Sequence, residues 1–476
     1  MLFQTYEFLI FFLIVAVTSY IAKKRARQVC LLIASIFFYA WGSIPHTPLF
    51  LFVILWTYLF GILIEKRRSK IVLAIGIGGS FCPLLLYKYV PFLIGQIFSS
   101  VPTQLSFVAN LSLPIGISFY TFQAVGYLVD VYRKDQPAER DLIVYSLFVS
   151  FFPQLVAGPI ERSTNLINQL KEDKPFCYDD VAVGLRLMGI GLFLKVFVAD
   201  TLGTIVDSVY NNVYEASTSA VMLLLATFFF GIQIYCDFNG YSTIAMGSAK
   251  ILGVNLMTNF ERPYFSRSIT EFWRRWHRSL SFWFRDYVFI PLGGSRCGKA
   301  RGSLNLFITF LLSGIWHGAN WTFAIWGALN GILLIIEKAL GLGKKDKSKW
   351  GAVIGWIYTY VFVNFAWIFF RSRSIEDALA IIKKIIYGIV PELVKLMQHN
   401  IAISSLITVN SKFILGVIGV ILLLVLGLYE NKKGSLANKL SKFHPIVRWS
   451  GYICCMSLTL CFGEWGSTAQ FIYFRF

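Results

Sequence analysis

The sequence predicts an all-α, polytopic integral-membrane protein, and three observations support this fold class. Of its 476 residues, 56% are hydrophobic and only 14% are charged. The mean hydropathy is +0.63. Apolar runs long enough to cross a bilayer recur along the chain, with clusters of Lys and Arg between them. We therefore expect one integral-membrane domain over residues 1–476, with about 11 to 13 membrane segments, some of them re-entrant.

The first apolar run, residues 6–20, predicts a membrane span whose N-terminus lies outside the cell. Basic residues follow this run at 23–27, whereas a cleaved signal peptide carries its basic residues before the run. Lys and Arg concentrate in cytoplasmic loops, and residues 65–70 form a second basic loop. The connection between the next two spans contains neither residue type, which suits the outside.

The remaining apolar segments follow in chain order. They lie at residues 29–41, 49–64, 71–93, 145–156, 181–198, 221–235, 321–336, 356–370, within 401–428, and at 447–462. Pro83 and Pro91 predict a kink or a break in the fourth span of the chain. Lys195 lies near the end of its predicted span, so we expect it to snorkel towards the membrane surface. Residues 375–389 are amphipathic, which predicts an interfacial helix.

Two stretches are too polar for lipid-facing spans. Residues 113–131 include Pro114, Gln123 and Asp130, so we expect them to face the protein interior. Residues 153–162, PQLVAGPIER, predict a bend or a re-entrant segment because Pro and Gly interrupt them. Their side chains Gln154, Glu161 and Arg162 either line a cavity or satisfy unwound backbone, and the residues leave both interpretations open.

The net charge of +19 does not indicate a nucleic-acid-binding protein. The cations cluster beside the apolar runs, and no zinc-finger spacing or RNA-binding motif accompanies them. We therefore expect no nucleic acid, and either anionic membrane lipids, the commoner case, or a phosphate-bearing acyl donor as partners of the basic surface. The eight cysteines form no CxxC pair, so we expect neither a disulfide framework nor a metal site.

A basic, aromatic helix is predicted between Ser268 and Pro291. Apolar residues recur there at spacings of three and four, at Phe272, Trp273, Trp276, Leu280, Trp283, Phe284 and Tyr287. Arg274 and its basic neighbours fall off this stripe, and Ser268 with Glu271 forms a capping-box pattern. The pattern predicts one helix at a membrane surface, with its rings at headgroup depth. His277 lies on the border between the two faces.

His317 is the only ionisable side chain between residues 304 and 334. An ionisable group at membrane depth is a candidate for function, because placing it there costs free energy. The alternative is that each histidine is a structural group beside a tryptophan. His46, His399 and His444 lie in polar or Pro-containing connections, and nothing distinguishes them.

A polar cluster follows the apolar run at residues 221–235. It contains Asp237, Asn239, Tyr241 and Ser242. Asp237 is a candidate for orienting an imidazole or for pairing with a buried arginine. The alternative is that this cluster caps the start of a helix.

Several motifs, in this order, resemble the membrane-bound O-acyltransferase (MBOAT) family in its AlgI-like bacterial branch. They are LPIGISFYTFQ at 113–123, FFPQLVAGPIER at 151–162, DFNGYSTIAMG at 237–247, NFERPY at 259–264, FWRRWHRSLSFWFRDYVFIPLGG at 272–294, SGIWHGANW at 313–321 and FIYFRF at 471–476. The resemblance covers most of the chain, and residues 341–411 contribute little to it.

The resemblance implies a multi-helix fold with a central funnel or tunnel in a bacterial plasma membrane. His317 matches the family's presumed active histidine in the WHG motif, and His277 matches its second histidine. It also implies transfer of an acyl group from a cytoplasmic thioester to an acceptor at the outer face. For AlgI-like members the group is acetyl, with acetyl-CoA as the expected donor, and a glycan or peptidoglycan hydroxyl is the acceptor. An extracytoplasmic partner protein usually completes delivery, and no bound cofactor is expected.

The implied chemistry suits these residues. A base must remove the hydroxyl proton during attack on the thioester, and neutral imidazole does this near pH 7. We assign His317 as this base and His277 as an assisting group. Asn320 and the backbone after Gly314 are candidate donors to the oxyanion. The candidates for supporting the site or lining the tunnel are Asp237, Asn239, Tyr241, Trp316, Asn320, Trp276, Arg274, Gln154 and Glu161.

Three other functions stay open at this stage. A DltB-type protein shares both histidine motifs but transfers D-alanine from a carrier-protein thioester to teichoic acid. The AlgI-like tail and the additional C-terminal span favour acetyl. A transporter or lipid flippase performs no covalent chemistry, and a scaffold only recruits an outer acetylase. Both predict that acetylation survives the loss of the histidines.

Overall fold

The chain folds into α-helices joined by short 3-10 and π-helical turns. The computed structural model describes residues 1–98, 102–156, 158–342, 348–398, 401–465 and 471–472, and contains no β-strand within these ranges. The predicted all-α class is therefore confirmed. His399, Ala157 and the tail residues 473–476 lie outside the described ranges.

The helices have the following bounds. They are α1 Tyr6–Ile21, α2 Lys24–Ser43, α3 Thr47–Arg67, α4 Lys70–Leu84, α5 Val90–Ile97, α6 Ser106–Ala109, α7 Ile117–Arg133, α8 Leu142–Ser150, α9 Phe152–Leu155, α10 Ser163–Lys171, α11 Tyr178–Leu192, α12 Asp200–Tyr210, α13 Ala220–Ile251, α14 Ile269–Arg275, α15 Arg278–Phe284, α16 Lys299–His317, α17 Trp321–Leu340, α18 Lys349–Arg371, α19 Ile375–Met397, α20 Ile403–Leu406, α21 Ser411–Lys433, α22 Leu436–Lys439 and α23 Pro445–Phe462.

Eight helical segments of the described chain are long and apolar enough to cross a membrane. They are Lys24–Arg67, Lys70–Ile97, Tyr178–Tyr210, Ala220–Ile251, Trp321–Leu340, Trp350–Arg371, Ser411–Lys433 and Pro445–Phe462. The first of them, 44 residues long, contains both α2 and α3. α1 is shorter but apolar. The chain is therefore a multi-pass membrane protein, as the sequence predicts.

The chain divides into two compact units. The first consists of Met1–Met188, Tyr241–Asn259 and Ser279–Val288, and the second of Gly189–Gly240, Phe260–Arg278 and Phe289–Phe476. α13 contributes to both units. The prediction of one integral-membrane domain over residues 1–476 stays a prediction.

Within the first unit, α7 is buried along nearly its whole length, which confirms that this polar segment faces the protein interior. Residues 153–155 belong to the short helix α9, and the described residues after it, 156 and 158–162, are non-helical and mostly buried. The fourth span contains Pro83 inside α4, and the π-helical turn Leu85–Tyr89 joins α4 to α5 without a gap. Lys70–Ile97 is therefore one helical segment that the prolines do not break, and the π-helical turn is a local irregularity beside Pro83 and Pro91.

The prediction of one continuous surface helix between Ser268 and Pro291 is wrong. Two short helices, α14 and α15, occupy this stretch, and a π-helical turn, Arg285–Phe289, follows them. The chain breaks at His277, whose backbone has a φ of 41°. The aromatic stripe is largely buried in protein, because Phe272, Trp276 and Leu280 are at most 2% exposed.

Candidate functional site

His317 is the last residue of α16 in the second unit, where the chain turns into α17. The two helices pack closely because glycines face each other. A Cβ atom at Gly314 would lie 2.3 Å from the carbonyl oxygen of Phe323, and one at Gly327 would lie 2.5 Å from that of Phe310. Small residues let helix backbones approach in this way. The WHG turn therefore brings His317 back against α17.

The imidazole of His317 is enclosed by aromatic rings. Its ring centroid lies 5.0 Å from that of Trp316, 5.1 Å from that of Trp326 and 5.3 Å from that of Phe370. The residue is only 4% exposed. Bulk water therefore has little access to this ring, as the sequence interpretation requires of a group at membrane depth.

His277 joins α14 to α15 in a conformation that residues with a Cβ atom rarely adopt. A φ of 41° at a residue other than glycine costs about 1–3 kcal/mol, and such strain clusters at functional sites. The residue is 1% exposed, and its ring packs edge-on against Phe238, with centroids 4.6 Å apart. The sequence placed His277 at the border of a surface helix, whereas the structure buries it.

One indole contacts both imidazoles. The ring centroid of Trp316 lies 6.4 Å from that of His277 and 5.0 Å from that of His317. The two histidines, separated by forty positions in sequence, therefore share one aromatic cluster of the second unit. His277 lies outside the candidate membrane spans, and burial lowers the pKa of its imidazole to about 3. Its ring is consequently neutral near pH 7.

Asp237 lies inside the continuous helix α13 and does not cap a helix start. Its side chain pairs with the ammonium of Lys195 at 2.7 Å and accepts the backbone N–H of Ile472 at 2.8 Å. Lys195 also pairs with Asp200 at 2.8 Å. The expectation that Asp237 orients an imidazole or pairs with an arginine is therefore wrong, because its charged partner is Lys195.

Lys195 does not snorkel, which corrects a second expectation. The helical segment continues beyond the predicted end to Tyr210, and a π-helical turn, Phe193–Ala199, lies within it. Lys195 is only 1% exposed in that turn. Its two carboxylate partners offset the cost of removing an ammonium from water.

The remaining candidates of the second unit occupy different environments. Trp276 is buried and stacks on Phe272, with centroids 5.4 Å apart. Asn239 donates to the hydroxyl of Tyr235 at 3.4 Å. Arg274 is exposed. Their expected roles in supporting the site stay predictions.

Asn320 is used as the N-cap of α17. Its side-chain oxygen accepts the N–H of Thr322 at 3.0 Å, and its amide nitrogen donates to the carbonyl of Arg373 at 2.8 Å. These two bonds hold the turn after His317 in place. They give Asn320 a structural use that the sequence interpretation, which considered it as an oxyanion donor, did not include.

In the first unit, Tyr241 is buried and stacks on Phe3, with ring centroids 4.6 Å apart. Gln154 is also buried, and its amide nitrogen donates to the carbonyl of Phe148 at 3.0 Å. Gln154 therefore satisfies backbone at the end of α8, which is one of the two interpretations that the sequence left open.

Glu161 lines a cavity of about 230 Å³ in the first unit. Polar and aromatic side chains share its wall, including Gln123, Asp130, Glu161, Arg162, Trp283 and Tyr287. The carboxylate of Glu161 accepts the N–H of Met257 and the amide of Asn165, and burial raises its pKa. Tyr287 donates to Asp130 at 2.7 Å. The sequence analysis had offered Glu161 and Arg162 as candidates for lining a cavity, and both lie in this wall. It did not single out Tyr287 or Trp283 for this cavity.

Comparison with known proteins agrees with these motifs. Residues 133–376 match the membrane-bound O-acyltransferase family. The probable alginate O-acetylase AlgI of Pseudomonas syringae pv. tomato is 40% identical over 387 residues, covering 79% of this chain and 74% of that protein. The peptidoglycan O-acetyltransferase of Helicobacter pylori is 33% identical over 420 residues, covering 80% and 79%. The teichoic acid D-alanyltransferase of Bacillus subtilis is 29% identical over 332 residues, covering 65% and 80%. The chain therefore belongs to the membrane-bound O-acyltransferase family, MBOAT, and is an acyltransferase of that family.

Proposed function

We propose that the protein is an O-acetyltransferase that passes an acetyl group from a cytoplasmic thioester to hydroxyl groups of a cell-envelope or exported polysaccharide. Its relatives named for alginate or peptidoglycan acetylation are more similar to it than the D-alanyltransferase is. The observation that supports this function best is the aromatic cluster of the second unit, in which Trp316 contacts both His277 and His317.

We assign His317 as the general base. In the proposed step, the acceptor hydroxyl oxygen attacks the thioester carbonyl carbon while His317 takes the hydroxyl proton. The tetrahedral intermediate then collapses, the C–S bond breaks, and the thiolate leaving group receives that proton from His317. The imidazole returns to its neutral form, so protons and electrons balance. General-base assistance contributes roughly a hundred- to ten-thousand-fold to such a rate.

His277 has a different task in this proposal. Because burial lowers the pKa of its imidazole to about 3, the ring stays neutral during turnover. A neutral imidazole donates from one nitrogen and accepts at the other. We therefore assign it to hydrogen bonding that positions the thioester, and not to carrying the proton. Burial of both rings strengthens the electrostatic effect of each such bond.

The donor, the location and the partners follow from the same proposal. We propose acetyl-CoA as the donor, with no bound cofactor, and the bacterial plasma membrane as the location, with the N-terminus outside. The basic loops after α1 and α3 support this orientation, because Lys and Arg concentrate in cytoplasmic loops. An extracytoplasmic protein or the acceptor glycan itself would receive the acetyl group.

Release of base-labile acetate tests the proposal. Membranes containing the full chain are incubated with radiolabelled acetyl-CoA and envelope polysaccharide, and ester-bound label is measured. We expect His317→Asn to lose the activity while His444→Ala, which removes an exposed histidine at the start of α23, retains it. Transfer of D-alanine from a carrier protein, without acetyl transfer, would support the DltB-type function instead. Normal acetylation by a stably inserted His277/His317 double variant would indicate a scaffold or a transporter.

A further inference from the structure

Glu337 is a carboxylate with no exposed surface in α17 of the second unit. A charged group in an apolar membrane helix is costly unless it has partners. Its two oxygens accept the backbone N–H groups of Ile269, at 2.7 Å, and of Thr270, at 3.0 Å. Glu337 is therefore bound to the backbone of a different helix.

Those two N–H groups are the first of α14. The first N–H groups of a helix have no partner within it, and the helix dipole favours a negative charge there. The next one, at Glu271, is accepted by the hydroxyl of Ser268 at 3.1 Å. Glu337 and Ser268 together complete this helix start, so Glu337 fixes it against α17.

A second bond joins the same two helices. The indole N–H of Trp273, in α14, donates to the side-chain oxygen of Asn330, in α17, at 3.2 Å. The ring of Trp273 also packs edge-on against Trp326, with centroids 5.6 Å apart. Trp326, Asn330 and Glu337 are four and seven residues apart, so they lie on one face of α17. That face therefore holds α14 along its length.

Both histidines lie at the ends of this arrangement. α14 ends at Arg275, two residues before His277. On the other side, Trp326 contacts the ring of His317 at 5.1 Å. The two imidazoles come from chain segments separated by α15 and most of α16. The face of α17 is consequently a physical link between the segment that carries one imidazole and the ring of the other.

We propose that Glu337 is a positioning residue, which fixes α14 on α17 and thereby holds His277 in place relative to His317. The inference deepens the proposed acetyl transfer and rests on it for its kinetic consequence. Active groups must be held within about half an ångström of their productive geometry by the residues behind them. A carboxylate with two bonds to a helix start provides such a hold, because it restrains the backbone directly.

The chain contains a matched control for the chemistry of this contact. Glu392 of α19 accepts the backbone N–H groups of Ala220, at 2.8 Å, and Val221, at 3.1 Å. These residues begin α13, so Glu392 caps a helix start with two bonds as Glu337 does. Its helix start lies far along α13 from Phe238, a residue of α13 that contacts His277. Glu392→Gln therefore makes the same chemical change away from the histidines.

The first test measures the position of His277 without requiring activity. In Glu337→Gln the new amide has one oxygen and one NH₂ group, so one of the two N–H bonds is lost. The full-length protein in membranes is treated with diethyl pyrocarbonate, and modification of each histidine is mapped by mass spectrometry. We expect His277 to be protected in the wild type and in Glu392→Gln, and to be modified in Glu337→Gln. Equal protection in all three proteins would overturn the inference.

The second test measures acetyl transfer at equal amounts of inserted protein. We expect Glu337→Gln to lower kcat about ten- to a hundred-fold with KM nearly unchanged, since small misplacements of reacting groups have costs of this size. Glu392→Gln should leave both unchanged. In a His277→Gln background, Glu337→Gln should add no further loss, because both changes act on one group. Additive losses would overturn the inference.

A further variant keeps the test decisive if Glu337→Gln does not accumulate in the membrane. Glu337→Asp keeps the negative charge, but its shorter side chain does not reach the N–H groups of Ile269 and Thr270 as Glu337 does, and the same protection and kinetic pattern is expected from it. A wild-type protein without acetyl transfer would reject the proposed function. An active wild type with an unaffected Glu337→Asp variant, and His277 still protected, would overturn this inference alone.

Discussion

Removing the positive charge of Lys195 should destabilise the protein more than removing either of its carboxylate partners. Lys195 is 1% exposed and pairs with Asp200 at 2.8 Å and with Asp237 at 2.7 Å. In Lys195→Met two buried carboxylates face each other without a cation. Deleting one member of a buried ion pair costs about 3–5 kcal/mol.

The distances around Lys195 give a second estimate of the free-energy cost of Lys195→Met. Because both accepting oxygens bond to one nitrogen, they lie within about 5.5 Å of each other, and two charges at that distance repel by about 3 kcal/mol at an effective dielectric constant near 20. Asp237→Asn should cost less, since Lys195 keeps Asp200 and the amide oxygen still accepts the N–H of Ile472. The triple variant carries Lys195→Met, Asp200→Asn and Asp237→Asn, so that all three side chains are neutral. It should recover much of the stability that Lys195→Met alone loses.

In the assay, the detergent-solubilised protein is heated to a series of temperatures, and size-exclusion chromatography measures how much of it stays unaggregated. The result is the midpoint temperature of thermal aggregation. We expect Lys195→Met to lower this midpoint by roughly 5–10 °C. Asp237→Asn should lower it less, and the triple variant should lie above Lys195→Met. A Lys195→Met protein as stable as the wild type, or a triple variant less stable than the single one, would refute the electrostatic reasoning.

Three further predictions concern the histidine cluster. Gly314→Ala should destabilise the protein by about 2–4 kcal/mol in the same assay, because its Cβ would lie 2.3 Å from a backbone oxygen, whereas Gly78→Ala, where nothing lies within 4 Å, should not. Burial lowers the pKa of His277 from its ordinary 6.5 to about 3, so stability is lost as pH falls below 6.5, by up to ~1.4 kcal/mol per pH unit. His277→Gln should flatten that acid-side loss in a thermal scan against pH. Trp316→Leu should lower kcat in the acetyl-transfer assay by about ten-fold or more, since its ring contacts both imidazoles, and unchanged turnover would contradict a shared cluster.

The membrane helices were predictable because their signals are local. Apolar length and flanking charge determine where a helix can span, and α1, α17 and α23 begin within two residues of the predicted starts. The interior position of α7 followed from its polar residues, which lipid would not tolerate. These properties need no knowledge of which segments pack together.

The break at His277 was not predictable from spacing. The apolar residues on both sides keep a helical period, so the pattern alone predicts one helix. Tertiary packing decides the outcome, because α14 is fixed at its start by Glu337 and at Trp273 by Asn330. The sequence has no local signal for a positive φ at a histidine.

The sequence also did not predict which residues pair with the buried charged side chains. Asp237 pairs with Lys195, 42 positions earlier, and Lys195 near a predicted span end is typical of a snorkelling residue. Glu337 likewise stands beside Lys338 near the end of a span, where a charge needs no explanation. Only the fold shows that both side chains point inward.

The measurement that tests the central claim most directly is the rate of acetyl ester formation by a protein with a non-titratable side chain at position 317. With His317→Asn present in the membrane at the wild-type level, we predict a fall of about a hundred- to ten-thousand-fold in base-labile acetate released from envelope polysaccharide. Esterification at the wild-type rate would contradict the assignment of His317 as the base.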